Sequence, residues 1–222
     1  MNSLVTIYMP NYNYSKYIGK AIESVISQLH LNWELIIILD GAIDDSHIII
    51  KKYISKFPDK IFLLENKKKR GLQYCANKAL KHANGEYFIR LDPDDFFNES
   101  CLLVLSNIFD NDEKVGLVYP DYFYVDENED ILELDNRKKI GKDVDLLDLP
   151  AHGACTMLRT VFLKELGGYS VDFIAQDGHD IWYKFKGKHK IVNVSTPLFY
   201  YRQHPDSLSK DNEKILNERK KI

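Results

Sequence analysis

Apolar runs and helix-period segments alternate along the first hundred residues. Leu4–Met9 is a short, mostly apolar run that meets Pro10, and it predicts a first strand. Ile18, Ala21, Ile22, Val25, Ile26 and Leu29 then recur at the spacing of one helical face, with Ser15 as the expected cap. Leu35–Leu39 is apolar throughout, as a parallel strand covered on both faces requires, and it ends at Asp40-Gly41. Asp45 or Ser46 is placed to cap a second helix running to about Phe57, where Pro58 opposes continuation. Ile61–Leu64 predicts a third strand. Leu72, Cys75, Ala76, Ala79, Leu80 and Ala83 mark the apolar face of a third helix, closed by Asn84-Gly85. Tyr87, Phe88, Ile89 and Leu91 mark a fourth strand. This β-α-β-α-β-α-β order implies an α/β fold with a Rossmann-like, mostly parallel central sheet and helices on both faces.

The second half alternates less regularly. A helix near Glu99–Phe109 precedes short strands near Gly116–Tyr119, Tyr122–Val125 and Ile131–Leu134, the last two joined by a turn at Asp126–Asp130. Arg137–Leu149 reads as a polar loop or short helix, and Thr160–Leu166 as a helix ending in Gly167-Gly168. Gln176–Trp182 opens a helix with acids in its first turn, with Trp182 and Tyr169 expected in the core. Strands near Ile191–Val194 and Leu198–Tyr201 complete a smaller, mixed or antiparallel C-terminal part, before a charged tail at Asp211–Ile222.

Composition narrows the class. With 45% hydrophobic and 28% charged residues in 222, the chain reads as a globular protein of one large or two small domains. A net charge of −3 gives no footprint for nucleic-acid binding. Cys75, Cys101 and Cys155 are odd in number, widely spaced and set among apolar neighbours, which predicts buried, reduced thiols. The N-terminus lacks a basic segment followed by an apolar core, and no apolar run reaches the length of a membrane span. The expected location is cytoplasmic, at most peripheral at the inner face of the membrane. Lys214, Arg219, Lys220 and Lys221 in the tail are the residues that would touch an anionic bilayer, and a plain solvated tail is the bland alternative. Oligomeric state is left open.

The chemistry gathers at Glu86–Phe97. The apolar run there ends in Asp92, Asp94 and Asp95, with Pro93 fixing the turn. In open α/β sheets, ligands bind at the carboxyl ends of strands. Carboxylates this close repel one another, and a divalent cation, Mg²⁺ or Mn²⁺, completed by phosphates and water, relieves the repulsion. The bland alternative is an acidic turn capping the next helix. Arg70, in the basic run Lys67–Arg70, is placed to pair with a phosphate or contact a base, although such runs are commonly solvated faces.

Taken in order, the motifs are Ile-Tyr-Met-Pro-Asn-Tyr-Asn with Tyr17-Ile18, Asp40-Gly41 with Asp44, Gly71-Leu72 with Asn77, and Asn84-Gly85-Glu86-Tyr87. They continue with Leu91-Asp92-Pro93-Asp94-Asp95, Gly167-Gly168-Tyr169, Gln176-Asp177-Gly178-His179-Asp180-Ile181-Trp182 and Tyr201-Arg202-Gln203-His204. In this order and spacing the chain resembles a family 2 glycosyltransferase of the GT-A fold, from near its first residue to about Ser209.

The resemblance implies one domain over 1–209, with a nucleotide-binding half at 1–97, an acceptor-binding half at 98–209, and a tail at 210–222. It implies transfer of a sugar, with inversion, from a nucleotide-diphosphate donor (a UDP-sugar is expected) to a hydroxyl of a glycan or lipid-linked glycan, in surface polysaccharide or glycan biosynthesis. Pro10, Asn11, Tyr12 and Asp40 would line the nucleotide pocket, and Asp92 would bind the donor's ribose or sugar. Asp94 would ligate the metal, and His204 matches a histidine that in some relatives reaches the metal or diphosphate. Asp177 matches the catalytic base, and His152-Gly153-Ala154 the backbone beside the acceptor. Three positions depart from the family pattern: Leu39 stands where an acid is common, Gln176 where an acid often precedes the base, and Ala76 where Arg is frequent.

Two enzymatic rivals fit less well. A nucleotidyltransferase would need a glycine-rich basic loop after the first strand, and a phosphatase would need its Asp-x-Asp there. The non-enzymatic alternative is a nucleotide-sugar-binding protein without turnover.

Overall fold

The computed structural model describes residues 3–137, 153–171 and 177–205, with backbone alone at 177–179. The first half follows the alternation of the sequence: β1 (Val5–Asn11), α1 (Ile18–Ile26), β2 (Trp33–Asp40), α2 (Ser46–Lys56), β3 (Ile61–Asn66), α3 (Leu72–His82) and β4 (Tyr87–Arg90). There follow β5 (Phe96–Phe97), α4 (Cys101–Asn111), β6 (Val115–Val125), β7 (Ile131–Asp135), β8 (Met157–Arg159), α5 (Thr160–Glu165), α6 (Asp177–Phe185) and β9 (Lys190–Arg202).

All nine described strands join one sheet in the order β3-β2-β1-β4-β8-β6-β9-β5, with β7 paired to β6. The pairs β1–β2, β1–β4, β2–β3 and β6–β9 are parallel, while β4–β8, β6–β8, β5–β9 and β6–β7 are antiparallel. Strand alternation divides the core. Ile7, Met9, Leu35 and Ile37 face the layer with Ile18, Ile22 and Val25 of α1, while Tyr8, Ile36, Ile38 and Phe88 face Cys75, Ala76 and Ala79 of α3. Trp182 and Tyr169 belong to the second layer, as expected from the sequence.

Several local expectations are corrected. The two strands expected at 116–125 are one, β6, because the sheet absorbs Pro120 with register shifts against β9 on either side of Asp121. The strands expected at 191–194 and 198–201 are likewise one, β9. The sequence reading missed β8, three residues long, which inserts antiparallel between β4 and β6. Ser15 does not cap α1. The helix begins after Tyr17 without a side-chain cap, and the Ser15 N–H donates instead to Asp44. Leu29 lies past the end of α1 and is 56% exposed. The expected loop at 138–149 and the tail at 211–222 lie outside the described residues.

The amino-terminal strand ends are fixed by a buried polar set. Thr6 Oγ1 donates to Glu34 Oε1 at 2.6 Å and accepts from Gly85 N–H, while Glu34 also accepts from the Asn84 N–H and amide. Gly85 is needed there, since a Cβ would lie 2.6 Å from Thr6 N.

Candidate functional site

The site is built where the two halves of the sheet meet. β4 stops at Arg90, yet the Leu91 N–H still donates to Tyr8 O, so the backbone stays in line with β1 up to Leu91, directly before Asp92. A turn closed by Asp95 N–H to Asp92 O follows, and Phe96–Phe97 then pairs with the end of β9. The acidic turn is therefore held by the parallel half on one side and by β9 on the other.

Each carboxylate has a different partner. Arg90 Nη2 donates to Asp92 Oδ2 at 2.8 Å. Asp94 Oδ2 lies 3.0 Å from His204 Nε2, just beyond β9. Asp95 is buried and accepts the Arg202 N–H at 2.9 Å. Burial first, and the charges of Asp94 and Asp92 second, push the Asp95 carboxyl well above the usual range. Of the three acids it is the innermost, while Asp92 and Asp94 stand nearer the surface.

Arg202, almost fully buried, ties the turn down. Its Nε donates to Asp94 O, its Nη1 to Asp126 O and Glu127 O, and its Nη2 to Glu129 Oε1. The guanidinium also lies 5.2 Å from the Tyr17 ring and 5.4 Å from the Phe96 ring. Tyr17 is tilted against His204 at 5.0 Å, and Tyr14 meets His204 edge-on at 6.1 Å. Burial, followed by the charges of Asp94, Asp92 and Asp95, raises the Tyr14 phenol, which keeps its proton and remains a donor. Sequence reasoning assigned no role to Tyr17, Arg90 or Arg202, and gave Tyr14 only a place in the polar and aromatic loop 10–14 that could meet a ligand at the end of the first strand. The available signal was adjacency, since each lies within or beside a motif quoted above.

The loops after β1, β2 and β3 form the neighbouring wall. Pro10 and Asn11 are still in β1, and Asn11 is fully buried with no hydrogen-bond partner for its amide among the described residues. Tyr12 emerges 37% exposed, with Lys69 Nζ 3.8 Å from its ring centre. Asp40 is buried. Its carboxylate accepts from Arg70 N–H, Gly71 N–H and Asn66 Nδ2, all at about 3 Å or less, so it anchors the basic loop to β2. Gly41, at φ +74°, permits the close approach, because a Cβ would fall 2.7 Å from Lys69 N. The Arg70 guanidinium lies over Tyr74 at 4.2 Å. Cys75, behind Asp40, is pushed up to about 12 by burial first and by Asp40 second, and it stays a neutral thiol.

Asp177 is the first residue of α6. That helix is fastened by Asp180, which accepts Ser170 N–H and Lys184 Nζ at 2.8 Å, and by Trp182 packed edge-on to Tyr119 at 4.6 Å. His152 lies outside the described residues. Nearby, the Cys155 N–H donates to Arg90 O, which links the 153–155 segment to the acidic turn.

Among the described residues, no group of three or more His, Cys, Asp or Glu side chains converges as a metal cage. The donors that do converge are one carboxylate oxygen and one imidazole nitrogen, Asp94 and His204. That pair fits a divalent cation that takes few protein ligands and completes its shell with phosphate oxygens and water.

The glycosyl transferase family 2 model matches residues 6–167, more than half of the sequence. The chain belongs to this family. It is 29% identical over 212 residues to the minor teichoic acid biosynthesis protein GgaB of Bacillus subtilis, covering 92% of this chain but only 23% of that protein. It is 27% identical over 216 residues to the Escherichia coli UDP-Glc:alpha-D-GlcNAc-diphosphoundecaprenol beta-1,3-glucosyltransferase WfgD, covering 96% of this chain and 82% of the relative. Among solved structures, the mannosyltransferase PcManGT of Pyrobaculum calidifontis, in complex with GDP-Man and Mn²⁺, superposes with a TM-score of 0.77 at 16% identity. That match covers 98% of this chain and 62% of PcManGT, and it establishes the shared GT-A fold.

Proposed function

We propose that this chain is the catalytic module of a metal-dependent, inverting glycosyltransferase, using a nucleotide-diphosphate sugar and the hydroxyl of a glycan or lipid-linked glycan. The observation that carries this reading is the convergence of Asp94 and His204 at 3.0 Å, beside Asp92, at the carboxyl edge of a family 2 domain. Residues 1–97 would hold the donor, 98–209 the acceptor, and 210–222 would be a tail. A UDP-sugar and a lipid-linked acceptor are favoured by the name of WfgD.

Each residue then has a stated task. A divalent cation held by Asp94 and His204 would neutralise charge on the departing nucleoside diphosphate. Asp92, fixed by Arg90, accepts hydroxyls of the donor's ribose or sugar. Tyr14 donates toward the same space. Pro10, Asn11 and Tyr12 line the base pocket, and Tyr12 offers a face for stacking. Asp40 acts at one remove, holding the loop that presents Arg70. Asp177 takes the proton from the acceptor hydroxyl while that oxygen attacks the anomeric carbon opposite the leaving diphosphate.

The test is calorimetric titration of UDP, GDP and CDP with and without Mn²⁺, alongside sugar-transfer assays of Asp177→Asn. Metal-dependent binding of one nucleotide, kept in Asp177→Asn while turnover falls at least about a hundredfold, is expected. Nucleotide binding with no transfer to any acceptor would favour the non-catalytic binding protein. No nucleotide binding would return the acidic turn to a structural role.

A further inference from the structure

The corner formed by the loops after β2 and β3 carries a surface of which the proposed reaction uses only Arg70. Ile43, in the turn after β2, is 90% exposed, and Ile48, in the first turn of α2, is 56% exposed. Lys51 and Lys52 follow Ile48 by three and four residues, so they share its helix face, and both are exposed. Across from them, Lys67, Lys68, Lys69 and Arg70 are all exposed in the loop after β3.

The two loops are in contact. The Gly41 position abuts the Lys68 and Lys69 backbone, Asp40 grips the Arg70 and Gly71 N–H groups, and His47 Nε2 lies 3.7 Å from Glu65. The carboxylates on this corner are the buried Asp40, and Asp44, Asp45 and Glu65. Asp44 is engaged with the Ser15 and Ser46 N–H groups, and Glu65 faces His47. The corner is therefore cationic on a chain whose net charge is −3.

We infer that this corner docks on an anionic lipid surface, with Ile43 and Ile48 entering the headgroup boundary and Lys51, Lys52, Lys67 and Lys68 meeting lipid phosphates. The composition selects the partner. Protein interfaces have an apolar centre poor in lysine, whereas protruding aliphatic side chains ringed by lysines suit a bilayer surface. The corner lies on the same carboxyl edge of the sheet as Asp94 and His204. Docking there would turn the rim of the proposed donor site toward a lipid-linked acceptor. The surface itself does not depend on the catalytic reading.

Sedimentation with vesicles of phosphatidylglycerol and phosphatidylcholine, against vesicles of phosphatidylcholine alone, tests the inference in the absence of nucleotide. Binding to the anionic vesicles only, reversed by high salt, is expected. With about fivefold in partitioning per cation near the surface, the loss of two cations in Lys67→Glu with Lys68→Glu should weaken it by at least about 25-fold. Ile43→Asp should weaken it several-fold. Both variants should keep the wild-type melting temperature and nucleotide titration, which separates lipid docking from donor binding. Absence of wild-type binding, equal binding to neutral vesicles, or variants that sediment like the wild type would overturn it. So would variants that lose nucleotide binding while keeping vesicle binding, since the lysines would then belong to the donor site.

Discussion

His204 Nε2 lies 3.0 Å from Asp94 Oδ2, although 110 residues separate the two in the chain. They meet because β5, immediately after the acidic turn, pairs with the end of β9, immediately before His204. If the pair holds one cation, Asp94→Ala and His204→Ala should each weaken Mn²⁺-dependent nucleotide binding by about tenfold or more, and the double variant should lose little beyond the worse single one. Additive losses in calorimetry would mean that the two act at separate places.

Arg202 should be the most sensitive structural position near the site. Removing its side chain leaves the Asp94, Asp126 and Glu127 carbonyls without these donors and Glu129 without its buried cation. Arg202→Ala is expected to cost about 3 kcal/mol, read as a shift in the denaturation midpoint, with Arg202→Lys intermediate. A loss below about 1 kcal/mol would show that the turn at 126–129 is not fastened through this residue.

Asp44 sets a pH signature on stability. Burial opposes its ionisation, but hydrogen bonds from Ser46 and Ser15 outweigh that and hold its pKa below the ordinary value of 3.8. A depressed carboxyl contributes stability that is present above the unfolded-state pKa and lost as pH falls through the folded one. Asp44→Ala should therefore be less stable than wild type by about 1 kcal/mol near neutrality. The gap should close below about pH 4, as melts at stepped pH would reveal.

Gly85→Ala should be destabilising although the position is not in a left-handed conformation. The added methyl would meet Thr6 N and Oγ1 at 2.6 Å and Leu4 O at 2.8 Å, all in the fixed start of β1. A loss of about 1–3 kcal/mol is expected in urea unfolding. Little change would mean that β1 can shift away from the Asn84-Gly85 turn.

The first half of the fold was legible because its signals are local. The all-apolar run of β2 and the helical spacing of α3 can each satisfy a buried face only in one way. The acidic turn was legible for the same reason, since Pro93 and three carboxylates state their chemistry within four residues. β8 was not legible. Three residues carry no usable period, and Met157–Arg159 is a strand only because β4 and β6 lie on either side. Leu29 matched the face of α1 by spacing, yet the helix ends before reaching it.

By itself, the sequence determined the α/β alternation, the family and the position of the acidic turn, through patterns that neighbouring residues complete. Tertiary structure alone decided what each acid does. It put Asp94 against His204, Asp92 against Arg90, and Asp95 in the interior on the Arg202 N–H, while Asp40 became the anchor of a loop. These assignments depend on which strands become neighbours. A carboxylate's environment is set by the partners that long-range pairing brings within 3 Å, and no local pattern encodes them.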